Sequence, residues 1–374
     1  MSKHLSQSFG GGGSAVSGAP QPASQDTGFF GHPRGLSTLF FTELWERFSY
    51  YGIRPLLVLY MAAALTDGGM GMTRDQAAPI VGIYGASVYL ASLPGGWIAD
   101  RLLGLRRAIW YGGVLIAAGH LAIGFSAVAG KAAFFLGLFL IVLGTGLLKP
   151  NISAIVGDLY PEGGARRDAG FSIFYMGINI GALFAPLITG YLGEDQERFG
   201  WHYGFGAAGV GMVIGLIWYK LTENKTLGDI GLQPTSSQQE QRKAMTYLGA
   251  GFGVLALIVL AVYLMGLSPQ QIAENMSIVM ACLAAAYFAY LFFFAGLNPD
   301  EMKRIAVIIV LFLFATIFWS AFEQAPTSLN LFAADYTDRD IGGWTMPVLW
   351  LQSANSFFVI TLAPLFAALW VSLA

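Results

Sequence analysis

Charge is what this chain lacks. Asp, Glu, Lys and Arg make up 11% of its 374 residues, against about 25% in a soluble globular domain. With 55% hydrophobic residues, and those in long blocks, the chain cannot solvate its outside in water. The net charge of −2 provides no basic field for nucleic acid. Cysteine is nearly absent as well. Cys282 stands alone in an apolar stretch, which excludes an internal disulfide, and it is expected to be a small packing residue. The histidines His4, His32, His120 and His202 are scattered. No metal, organic cofactor or nucleophile–base set is therefore expected, and the chain does not read as an enzyme.

The long blocks are there instead. A helix needs about 20 apolar residues to cross the hydrocarbon core. Ten stretches qualify: 36–65, 76–102, 107–129, 132–160, 168–192, 201–221, 245–267, 275–297, 303–333 and 345–372. They predict an all-α polytopic membrane protein. Ahead of them, residues 1–31 are polar and rich in Gly, Ser and Gln, and are expected to be a disordered tail without signal-peptide character. The polar stretch 223–244 reads as a linker. The blocks within 245–297 carry almost no ionisable residue, so they are expected to form a lipid-facing hairpin beside the core, with two further core helices as the alternative.

Orientation follows from Lys and Arg in the loops. Arg101, Arg106, Arg107, Arg166, Arg167, Lys225, Arg242 and Lys243 fall on one side; Arg74, Lys131 and Arg198 fall on the other. The bias places the N-terminus and the linker in the cytoplasm.

The first block concentrates the chemistry. Glu43, Glu46, Arg47, Tyr50, Tyr51 and Arg54 recur at helical spacing and share one face. Each charge near a bilayer centre costs roughly 2.5–3.5 kcal/mol on the insertion scale, so this face is expected to line a wet cavity with its charges paired. Glu43–Arg47, Arg47–Tyr51 and Tyr50–Arg54 have the i,i+4 spacing for contact. Lys149, followed by Pro150 and Asn151, is a further intramembrane cation. Asn179 lies between Gly177 and Gly181, a pair suited to close helix contact. Glu323, alone among apolar residues, needs a cation or a proton. Gln352, Ser353 and Asn355 follow in the last block.

Taken together, Glu43-xx-Glu46-Arg47 with Tyr50, Tyr51 and Gly52, Leu148-Lys149-Pro150-Asn151, and Phe174-Tyr175-xx-Ile178-Asn179-x-Gly181 resemble the proton-dependent oligopeptide transporter (POT/PTR) family, in its bacterial form. Gly96-xxx-Asp100-Arg101-xx-Gly104-x-Arg106-Arg107 resembles the loop between helices two and three of the major facilitator superfamily, of which that family is a branch. The hairpin after helix six is similar to the insertion of bacterial members. The resemblance begins near residue 32 and divides the chain into a six-helix bundle (32–222), the linker, the inserted hairpin and part of a second bundle (298–374). Two departures accompany it. The superfamily core has twelve helices, and these blocks supply eight besides the hairpin, so helices nine to twelve and the family's amine-binding glutamate on helix ten have no counterpart here. Block 76–102 lacks the histidine that animal members use.

The resemblance implies a proton-coupled symporter of di- and tripeptides, monomeric, in a bacterial inner membrane, with protons as the only coupling factor. It implies that Arg47 and Lys149 hold the peptide carboxylate and that Tyr50, Tyr51 and Tyr89 line the site. Asn179 would contact the peptide backbone, Asn355 would lie near the amine, and Trp319 would shape a side-chain pocket. Glu43, Glu46, Arg54 and Glu323 would couple protons to gating, with Glu323 pairing to Arg54 or Lys149. A same-family carrier of nitrate or another small anion or metabolite is the alternative.

Overall fold

The apolar blocks fold into long helices, as the 3.6-residue period and the need to satisfy every backbone group in lipid require. The computed structural model describes residues 26–373. They form α1 (Gly35–Ala62), α2 (Arg74–Ile98, prolonged by a π-helical turn, Ala99–Leu103), α3 (Leu105–Ala129), α4 (Lys131–Asp158), α5 (Gly164–Glu194) and α6 (Trp201–Thr226). There follow α7 (Gln238–Met265), α8 (Pro269–Phe293), α9 (Pro299–Phe322), α10 (Ser328–Tyr336), a 3-10 turn (Val348–Gln352) and α11 (Ser353–Leu373). Among the described residues, nine helical segments have the length and apolarity to cross a membrane. α1 is not one of them, because Glu43, Glu46, Arg47 and Arg54 break its apolar window. Yet α1 is 28 residues long, about 42 Å at 1.5 Å per residue, and it is the most thoroughly buried helix.

The core forms around α1. It packs against α5 and α6, while α3 pairs with α4, and α2 lies on α4. Small residues set these distances. A side chain at Gly181 would run into the Leu44 carbonyl oxygen on α1, so the Gly177/Gly181 pair does mark a close helix contact. Gly112 on α3 and Gly144 on α4 face each other's carbonyls in the same way. Pro55, Pro150 and Pro186 sit inside α1, α4 and α5, where they remove ladder hydrogen bonds that neighbouring helices shelter.

Several sequence expectations change. The expected helix 303–333 is broken: α9 ends at Phe322, with Glu323 as its C-cap, and α10 begins at Ser328. Pro326 explains the break, since it has no N–H to continue the ladder and restrains the residue before it. The linker is shorter than expected, because α6 runs to Thr226 and α7 starts at Gln238. Ser237 and Glu240 form a reciprocal capping box that starts a helix in polar sequence before any apolar residue arrives. The expected tail lies mostly outside the described residues. Its last residues, 26–31, form a turn in which Asp26 accepts from the Arg34 amide at 2.9 Å. Cys282 is exposed on α8 rather than packed.

α7 and α8 are nearly unburied: Ala244 is the one buried residue of α7, and α8 has none. α8 lies on α2 and α9, whereas the start of α7 meets the π-helical turn.

Candidate substrate cavity

The charged face of α1 opens on a cavity of about 330 Å³, at the lower end of the roughly 300–1,000 Å³ range of small-molecule sites. Arg47, Tyr50, Tyr51, Tyr89, Lys149, Asn179, Trp319 and Asn355 all line it. Arg54 and Glu323 line it as well, while Glu43 and Glu46 sit behind its wall, 0% and 1% exposed. α1, α2, α4 and α5 thus face α9 and the start of α11 across one space.

The charges are paired. Arg47 makes a two-pronged contact with Glu46, with Nη2 donating to Oε1 at 2.7 Å, and its Nε lies 3.4 Å from Glu43 Oε1. Lys149 Nζ reaches from α4 to Glu43 Oε1. The other Glu43 oxygen, Oε2, is buried without a hydrogen-bond partner among the described residues. Arg54 Nη2 donates to Glu323 Oε2, and Tyr89 OH approaches Glu323 Oε1 at 3.5 Å. Of the two partners left open for Glu323, Arg54 is therefore the one it takes.

The tyrosine rings face the cations. Tyr50 lies between two guanidiniums, 4.7 Å from Arg47 and 5.6 Å from Arg54, at cation–π range. The expected Arg47–Tyr51 contact is looser, at 6.0 Å. Lys149 likewise faces the Phe174 ring at 6.0 Å. Asn179 donates to the Tyr175 carbonyl one turn back at 2.9 Å, which fixes its amide while its residue remains on the cavity wall. Of the polar residues in the last block, Gln352 is committed to Ala325 O at 2.9 Å and Ser353 to Leu183 O at 2.7 Å.

At the end of the helices where α5 stops, contacts that the sequence reading did not anticipate tie α1, α2 and α5 to residues 330–349. Glu194, at the end of α5, accepts from the backbone amides of Val348 and Leu349 at 2.7 and 2.9 Å and so caps the 3-10 turn. Arg339 stands 3.9 Å from the same carboxylate. Asn330 donates to Pro55 O at 2.9 Å, and Arg74 pairs with Asp335, with Nη2 to Oδ1 at 2.9 Å. Arg74 holds the Asp335 carboxyl below its ordinary range by direct hydrogen bonding. Glu194 carried little usable signal, being the first of three acids, with Asp195 and Glu197, where an apolar block ends. Its partners are backbone amides, which no residue type announces.

At the other end, Arg106 is buried and holds the end of α6. It donates to Gly228 O at 2.8 Å and lies 3.2 Å from Glu223. This arrangement accounts for Arg106 within the glycine- and arginine-rich spacing at 96–107. Among the described residues no group of His, Cys, Asp and Glu is placed to hold a metal.

A multi-pass helical chain with a charged cavity between its helices has the architecture that a transporter requires. The model of the POT family matches residues 106–374. A peptide transporter of Yersinia enterocolitica, YePEPT, is 48% identical over 358 residues, covering 92% of this chain and 69% of the relative. A di-/tripeptide transporter of Lactococcus lactis subsp. cremoris is 40% identical, covering 91% of this chain and 70% of the relative. The crystal structure of a peptide transporter POT in complex with sulfate superposes with a TM-score of 0.86 at 43% identity, covering 94% of this chain and 72% of that one. The chain belongs to the POT family; it is a transporter, not an enzyme.

Proposed function

We propose that this protein is a proton-coupled symporter of di- and tripeptides that works by alternating access. The observation that carries the reading is the pairing of three cations with three carboxylates against one cavity: Lys149 with Glu43, Arg47 with Glu46, and Arg54 with Glu323. The names of its relatives, peptide and di-/tripeptide transporters, point the same way.

Charge balance gives the mechanism. The paired network is neutral as it stands. A peptide carboxylate drawn to Lys149 and Arg47 displaces Glu43 from Lys149, because one ammonium cannot satisfy both at full strength. Glu43 then keeps only its 3.4 Å contact with Arg47, which Glu46 and the peptide share, so its buried negative charge is under-compensated and costly, and its partnerless Oε2 is where a proton removes that cost. Peptide and proton therefore bind better together than apart. A second proton at Glu323 frees Arg54, loosening α1 from α9 and the first bundle from the second. Tyr50, Tyr51 and Tyr89 line the space between, Asn179 offers polar contact to the peptide backbone, and Trp319 shapes one side-chain pocket. Asn355 lies on the wall where the amine would point. Each pKa unit of difference between the two states is worth 1.36 kcal/mol, and 100 mV acting on one charge adds about 2.3 kcal/mol.

The asymmetry of Lys and Arg in the loops supports a cytoplasmic N-terminus, which makes the Glu194 end the outer end. The cell membrane, a bacterial inner membrane, is the setting that fits. Two bundles (32–222 and 298–374) with the unburied α7 and α8 facing lipid between them form the organisation, and a monomer suffices because the pathway lies within one chain.

A carrier of a small anion or metabolite is the second reading. Glu323 is the one carboxylate on the described cavity wall and is engaged by Arg54, while Arg47 and Lys149 would hold any anion. The sulfate complex of a relative favours this as well. Uptake of labelled dialanine into proteoliposomes, under an inward proton gradient and a membrane potential, separates the two. Accumulation that an uncoupler collapses supports the peptide symporter; transport of nitrate without peptide uptake overturns it.

A further inference from the structure

We propose that the groove between the π-helical turn of α2 and the first turns of α7 is a binding site for one anionic phospholipid of the leaflet on the arginine-rich side. The groove has a volume of about 630 Å³. Leu102 and Leu103 form one wall, Met245 and Leu248 the other, and Gln241 and Arg242 line its polar end.

The polarity of the groove runs in one direction. Along α7, Arg242 and Leu248 are about 9 Å apart at 1.5 Å per residue. The headgroup layer of one leaflet is roughly 5–8 Å thick. With Arg242 at the phosphates, Leu248 reaches the acyl chains, so the groove offers an ion-pairing end and a greasy end at the spacing a phospholipid has. Arg242 is available for this. Neighbouring Arg101 is engaged by Glu240 at 3.5 Å, but Arg242 forms no ion pair or side-chain hydrogen bond among the described residues. Across the turn and the start of α7, Arg101, Arg242 and Lys243 outnumber Asp100 and Glu240 by one positive charge. Basic pockets between membrane helices on the cytoplasmic side are where anionic headgroups bind.

The walls are built before a lipid arrives. Thr235 Oγ1 donates to Asp100 O at 3.0 Å and Ser236 Oγ to Arg101 O at 2.6 Å, which straps the linker to the π-helical turn. The Ser237–Glu240 capping box then sets the direction of α7. A lipid seated there would hold an otherwise unburied helix against the bundle. The proposal does not depend on what the cavity transports.

The test is native mass spectrometry of the full chain in detergent, titrated with dioleoyl phosphatidylglycerol or with dioleoyl phosphatidylcholine as the zwitterionic reference. The wild type should bind one phosphatidylglycerol more tightly than phosphatidylcholine. Arg242→Gln should weaken phosphatidylglycerol binding about fivefold, the factor one basic residue supplies near an anionic surface, and leave phosphatidylcholine binding nearly unchanged. Leu248→Trp should weaken both by filling the apolar end. Arg304→Gln, on α9 away from the groove, should change neither. Equal affinity for the two lipids, an unaltered Arg242→Gln protein, or an equal loss in Arg304→Gln overturns the proposal. If Leu248→Trp fails to fold, the two arginine variants decide it alone.

Discussion

Replacing Glu323 by Gln removes the charge that α9 presents to Arg54. Arg54 is 9% exposed, and its Nε already lacks a partner among the described residues, so the guanidinium would lose the one carboxylate that pairs with it among those residues. Deleting one partner of a fully buried pair costs about 3–5 kcal/mol. The Glu323 side chain is 28% exposed and Gln keeps an acceptor, so the cost here is roughly 2 kcal/mol. That moves the equilibrium about 30-fold away from the arrangement in which α1 is tied to α9. The substitution also removes the carboxylate to which the second proton is assigned in the proposed mechanism, without removing Arg47 or Lys149. The assay compares uphill uptake of a labelled dipeptide with its exchange between equal pools in proteoliposomes. Uphill uptake should be lost and exchange should persist. Normal accumulation by the variant would refute the coupling role.

Three further outcomes are expected. Glu194→Ala strands the Val348 and Leu349 amides, which lie at buried residues. At about 1–3 kcal/mol for each unsatisfied group, the Glu194 end should open, read as faster labelling of a cysteine placed at Gln352. Asp335 is a depressed carboxylate: its pairing with Arg74 contributes above the ordinary value near 3.9 and is lost only as the pH falls through the lowered one. The sign makes this tie constant from about pH 5 to 8, so Asp335→Asn should change transport rates without moving the pH midpoint. Gly181→Val should lower the melting temperature in detergent by forcing α5 off α1, an overpacking cost of about 1–3 kcal/mol. Gly253→Val, where nothing lies within 4 Å, serves as the comparison and should not.

Much of the architecture was legible because lipid imposes so simple a rule. Apolar length located the ten long helices, and the i, i+3, i+4 recurrence of Glu43, Glu46, Arg47, Tyr50, Tyr51 and Arg54 identified the cavity-facing side of α1. What misled was apolarity used as a proxy for helix ends. α7 starts seven residues before the expected boundary at 245 because capping chemistry acts on polar residues. α9 stops eleven residues short of 333 because Pro326 interrupts an otherwise apolar run. Cys282 was expected to pack because it sits among apolar neighbours in sequence, but in a membrane helix those neighbours can equally face outward.

The sequence by itself determined which residues could not be left in lipid: a charge that costs kcal/mol in hydrocarbon must find a cavity or a partner, and that requirement is local to each helix. Only the tertiary structure decided the partners. Whether Glu323 takes Arg54 or Lys149, whether Lys149 stands free or meets Glu43, and that Glu194 caps a turn more than 150 residues away all depend on distances between helices. Those distances are set by where glycines such as Gly181 and Gly112 let backbones approach, a property of facing surfaces that one strand of sequence does not contain.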